Sequence, residues 1–185
     1  AAIAETLKMN SALSQRVQSA AAHYGYEGPL EPGMVKLIEE EGFESGEYED
    51  DVGVLTQGVG QTEENKGKNF FTETYPKYLE RAAKKVKGLT TMPEQVQGAV
   101  LSAVYRGDLG PKAAKLLSEK RYKEAAEEYL DNAEYKKRKK KDPEDGVVLR
   151  MQRNADDIAS GEQDVEPRLK SSAVAGGGLP RQDTL

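Results

Sequence analysis

The stretch from Glu41 to Gln61, EGFESGEYEDDVGVLTQGVGQ, constrains this chain more than any other. Two periodicities meet in it. Upstream, Met34, Leu37, Ile38 and Glu41 stand at i, i+3, i+4 and i+7, the spacing of one helical face. Downstream, Gly53, Gly58 and Gly60 punctuate a run of Val52, Val54, Leu55, Thr56 and Val59, which reads as a hairpin or small meander. A short amphipathic helix must therefore lead directly into a small sheet. Three of the helix's inward positions are core material and the fourth is a carboxylate. Glu39 and Glu40 project elsewhere and are expected to stay in water.

An inward acid at a helix end has chemical consequences. Partial burial, the negative end of the helix dipole and the neighbouring acids all favour the protonated form of Glu41. A general acid working near neutral pH needs that form. Asp50 follows nine residues later and Thr56 six residues after that, so the sheet would present a second carboxylate and a hydroxyl. Two carboxylates in different environments are what glycoside hydrolysis requires. Singly, each residue also has an ordinary reading: a solvated helix-end Glu, a turn Asp and a strand-forming Thr.

Taken together, they match a pattern. Glu41, Asp50 and Thr56 are separated by eight and five residues. Glu41-Gly42, Tyr48, Gly53 and Thr56-x-Gly58-x-Gly60 stand around them. This frame resembles the phage-type lysozymes, the muramidases of glycoside hydrolase family 24. The spacing selects Asp50 over Asp51, which chemistry alone does not. Further on, Gly-Val-Val-Leu-Arg-Met-Gln-Arg from Gly146 to Arg153 is similar to that family's Gly-Leu-x-x-Arg element. Two positions depart from the pattern: Gln61 stands where the family carries His, and Gln57 where it carries an aliphatic residue.

The resemblance implies an α+β, mostly α, lysozyme-like fold of two lobes, a small antiparallel β-sheet lobe and a larger helical lobe; an N-terminal helix is added to it here. It implies hydrolysis of the β-1,4 bond between N-acetylmuramic acid and N-acetylglucosamine in peptidoglycan, with inversion. Glu41 would protonate the leaving oxygen, Asp50 would activate or orient a water, and Thr56 would hold that water. Arg150 or Arg153 would lean toward the cleft as substrate contact or electrostatic support, with Gln61 beside them. Eight of the thirteen residues from Glu39 to Asp51 are acidic, so a cation there would offset strong repulsion. The implied partner is the peptidoglycan glycan strand, with no cofactor and no metal.

Composition narrows the classes. The 185 residues suit one domain with extensions, and a net charge of −5 argues against a general nucleic-acid binder. There is no Cys, so disulfides and thiolate metal sites are excluded, and His23 alone cannot form a zinc site. No apolar run approaches the roughly 20 residues of a membrane span, and no signal-peptide pattern opens the chain. The first residue is Ala, which is expected of a processed chain or a segment of a longer one. Action at the bacterial wall or periplasm would then follow delivery by a phage virion or release from the host cytoplasm.

Three regions are expected. Residues 1–31 form a helix and connector, with Ile3, Leu7, Leu13, Val17 and Ala20 as its apolar stripe. Residues 32–161 form the lysozyme-like domain, and 162–185 a flexible tail or linker. Within the domain, helices are expected over 72–87, from a cap at Thr91 through Gly107, over 111–118, over 120–135 and over 146–159. The Val96–Tyr105 run carries no charge and reads as the central helix. Lys136 to Lys141 reads as a solvated helix end or as a contact for anionic glycan or polymer. The N-terminal helix and the tail could dock phage tail or virion proteins. Two other readings stay open: a non-catalytic virion assembly module, and a lytic transglycosylase.

Overall fold

The structure, a computed structural model, describes residues 11–51 and 53–162. Helices α1 (Ser11–Tyr24) and α2 (Pro32–Glu41) lead into a sheet of β1 (Glu44–Glu49), β2 (Leu55–Gly58) and β3 (Gln61–Thr62). Helices α3 (Tyr75–Lys85), α4 (Glu94–Arg106), α5 (Pro111–Ser118), α6 (Tyr122–Leu130), α7 (Ala133–Lys141) and α8 (Gly146–Ala159) follow. The described chain is α+β and mostly helical, with one small antiparallel sheet in the order β1-β2-β3.

The uncharged run becomes α4, the buried axis of the helical body. Val96, Ala99, Val100, Leu101, Ala103 and Val104 are all buried, and α2, α3 and α8 pack around them. The α2–α4 crossing is close because Gly33 has no side chain: a Cβ there would lie 2.7 Å from the Leu101 side chain. Met34, Leu37 and Ile38 fill the same seam, as their helical spacing requires.

The sheet begins earlier than the valine-rich run. β1 is Glu-Ser-Gly-Glu-Tyr-Glu, a sequence poor in strand formers and almost wholly exposed. Its pairing with β2 sets Tyr48 opposite Thr56 and Glu49 opposite Leu55. β2 and β3 then close through a tight turn at Val59-Gly60, where Gly60 has φ +59°.

Val17 and Ala20 of α1 belong to the same core as α2 and α4. Ile3 and Leu7, and the side chain of Leu13, lie outside what the structure describes, as does the tail from 163. Several expectations need correction. The helix expected from Thr72 begins instead with a π-helical turn over Phe70–Thr74, capped by the Asn69 side chain, before α3 starts at Tyr75. Thr91 caps no helix; its hydroxyl donates to Gly88 O within a 3₁₀ turn, and Pro93 precedes α4. The expected helix over 120–135 breaks at Asp131-Asn132. Asn132 then caps α7 by accepting from the Tyr135 amide at 3.0 Å.

Candidate active site

Glu41 is the last residue of α2, where Gly42 turns the chain toward β1 with φ +73°. Its Oε1 accepts a hydrogen bond of 2.6 Å from Arg150 Nη1, across 109 residues of sequence. Arg150 is 6% exposed. Its Nε and Nη2 both donate to Ser102 Oγ at 3.2 Å. Asn154 Nδ2 donates to the same oxygen at 3.0 Å and reaches Tyr129, whose hydroxyl donates to Asp108. A polar ladder thus crosses the helical body from Glu41 to Asp108. Burial, and then the Asp108 charge, push the Tyr129 phenol far above its ordinary value, so it stays a neutral donor.

Gly60 lies against the other side of the Glu41 carboxylate. A Cβ built on it would stand 2.6 Å from Glu41 Oε2, and its φ is left-handed as well. Gly60→Ala is therefore expected to destabilise the fold by about 1–3 kcal/mol and to displace the carboxylate. Urea unfolding checks the first effect; a Gly60→Ala protein of native stability would contradict it. The turn is fixed from the helical body too, since Tyr105 donates its hydroxyl to Val59 O at 2.7 Å. Burial, followed by the Glu41 charge, raises the Tyr105 phenol well beyond the usual range.

Asp50 and Thr56 are tied to one residue. Asp50 Oδ1 accepts from Val54 N at 2.8 Å, and Thr56 Oγ1 donates to Val54 O at 3.0 Å. Asp50 N also donates to Val54 O. Carboxylate and hydroxyl are thereby held in fixed relation by the β1–β2 connection. Tyr48 lies within electrostatic reach of both Glu41 and Asp50. Burial raises its phenol first, and the negative charges of Glu41, Glu44, Asp50 and Asp51 raise it further. The acids around this ring come from the end of α2, from β1 and from the connection that follows it.

The remaining expected residues are placed differently. Gln61 is 1% exposed and Thr56 3% exposed, so neither side chain presents more than an edge to a ligand. Gln61 Nε2 donates to Asn65 O, Lys68 O and Thr74 Oγ1, and its Oε1 accepts from the Tyr24 hydroxyl at 3.0 Å. It is a neutral strut tying β3, the following loop and α1 together. Gln61→Leu leaves these groups unpaired, with an expected loss of about 1–3 kcal/mol, measurable by urea unfolding. Unchanged stability would contradict this role. Arg153 pairs with Glu40, at 3.1 and 2.7 Å, and not with Glu41. Glu40 does not stay in water: its side chain is 8% exposed and also meets Lys36. Burial alone would raise this carboxyl, but Arg153 and Lys36 outweigh burial and hold it below its ordinary value.

Ser102 and Asn154 were not among the expected site residues. Each interrupts an apolar helical face, which is the signal that could have found them.

The chain matches no model of a known protein family, and no curated protein matches it in sequence. Among the described residues, no group of three or more His, Asp or Glu could hold a metal ion. No helix there is long and apolar enough to cross a membrane.

Proposed function

We propose that this chain is a muramidase of the phage-lysozyme type, with a lysozyme-like two-lobed fold, hydrolysing the β-1,4 bond between N-acetylmuramic acid and N-acetylglucosamine. The observation that carries this reading is the Glu41–Arg150 pair. A solvated helix-end Glu has no fixed aim. Glu41 has one oxygen tied by a buried guanidinium and the other against a glycine, so its reach is set.

In the proposed reaction, Glu41 acts through the oxygen not bonded to Arg150, taking up a proton from solvent and passing it to the glycosidic oxygen as the bond to the anomeric carbon breaks. Arg150 then balances the carboxylate left behind. Asp50 stabilises the developing oxocarbenium charge and takes a proton from a water that Thr56 orients. The water oxygen bonds the anomeric carbon on the face opposite the leaving group, which inverts the centre.

Mass analysis of digested peptidoglycan tests the reading. Fragments that have gained a water and end in reducing N-acetylmuramic acid are expected. Anhydro-muramyl ends would replace hydrolysis by transglycosylation. An intact wall would leave a non-catalytic virion module as the better reading.

A further inference from the structure

Helix α7 is poorly explained by the fold it belongs to. Of its nine residues only Tyr135 is buried, while Lys136, Lys137, Lys139, Lys140 and Lys141 are exposed. Lys136 and Lys140 stand at i, i+4, as do Lys137 and Lys141, and like charges at that spacing destabilise a helix. The core demands none of these lysines, and the helix would be steadier with mixed charge.

The helix is nevertheless held firmly. Arg138 bonds Glu134 at 2.9 Å and Asp145 at 3.3 Å, and Tyr135 accepts from Gln152 of α8. Lys136 pairs with Asp131, and Lys139 lies over the Tyr135 ring. Among the described residues the side chains of Lys137, Lys140 and Lys141 have neither ion pair nor hydrogen bond. Lys137 and Lys141 line a hollow of about 520 Å³ shared with Glu134, Arg138, Asp142 and Asp145. The acids there are already engaged: Glu134 and Asp145 with Arg138, and Asp142 with the Glu144 amide. Asp142 keeps its charge, and among the cations lining the hollow Lys137 and Lys141 are the two without an ion pair.

We propose that α7 anchors the protein to a flexible phosphodiester polymer of the bacterial envelope. Other polyanions fit less well. No exposed aromatic residue on α7 could stack a base, as single-stranded nucleic acid requires. No large apolar side chain on α7 is exposed to enter a bilayer, and Glu134 and Asp142, which share a hollow with Lys137 and Lys141, would meet a flat anionic surface together with those lysines. A thread needs to reach only the Lys137, Lys140 and Lys141 ammonium groups, although Glu134 and Asp142 flank two of them. The chain as a whole carries −5, so attraction must come from contact and not from the overall field.

The anchor rests on the wall as the proposed substrate, but its test does not need catalysis. Binding of the full chain to poly(glycerol phosphate) is measured by fluorescence anisotropy from 50 to 200 mM NaCl. Three contacts of the single-strand kind predict an affinity loss of about 20-fold over that range. The variant Lys137→Gln/Lys140→Gln/Lys141→Gln is expected to lose at least about tenfold in affinity at 50 mM and to digest polymer-free peptidoglycan at the native rate. Native affinity in the variant, or equal wild-type affinity for single-stranded DNA or anionic vesicles, would overturn the anchor. Failure to cleave any wall, with polymer binding intact, would overturn the muramidase reading and leave the anchor standing.

Discussion

Replacing Glu41 with Gln is expected to lower peptidoglycan hydrolysis by about 10²–10⁴-fold while the fold persists. The amide keeps an oxygen for Arg150 Nη1 and keeps the side chain's shape, so packing against Gly60 is unchanged. It cannot give up a proton to a leaving oxygen. Initial rates of muropeptide release, beside circular dichroism of the same sample, separate the two effects. A folded Glu41→Gln protein that cleared walls at the wild-type rate would remove Glu41 from the chemistry, and with it the proposed mechanism.

Arg150→Ala is expected to cost about 3–5 kcal/mol of stability, because it strands a carboxylate and a buried hydroxyl that share one guanidinium. For a chain of this size that corresponds to a fall in Tm of roughly 6–20 °C. The loss should be partly recovered in the double variant with Glu41→Gln, since the neutral amide no longer needs a counter-charge. Strict additivity of the two substitutions would show that the pair is not coupled. An Arg150→Ala protein that unfolds at the native urea midpoint would show that Ser102 and Glu41 find other partners.

What could be read from the residues alone depended on whether local pattern and tertiary surroundings agreed. α4 and α8 were legible because their apolar positions recur at helical spacing and nothing nearby competes with it. β1 was not, because Glu-Ser-Gly-Glu-Tyr-Glu has no intrinsic pull toward a strand; β2 imposes that conformation by pairing with it. The break at Asp131-Asn132 has neither Gly nor Pro, and only the cap made by Asn132 discloses it. Glu40 lies off the apolar face of α2, yet α8 covers it with Arg153, a neighbour more than a hundred residues away that no periodicity could announce. Of the site, the spacing of Glu41, Asp50 and Thr56 and the presence of a cation on α8 were legible. The choice between Arg150 and Arg153 was not, since the two differ by one turn and only the packing decides which reaches Glu41. Gln61 was misjudged for a similar reason: its role consists of bonds to a loop and to α1, none of which the motif contains.

The pairing of Glu41 with Arg150 also has a consequence in time. Translation makes the acid early and the base 109 residues later. Until α8 has emerged, Glu41 has no counter-ion, Ser102 has no guanidinium to receive, and the polar ladder has only its lower rungs. A nascent or clipped chain that lacks α8 would therefore hold Glu41 without the guanidinium that fixes it, so on the proposed function competence would arrive only with α8.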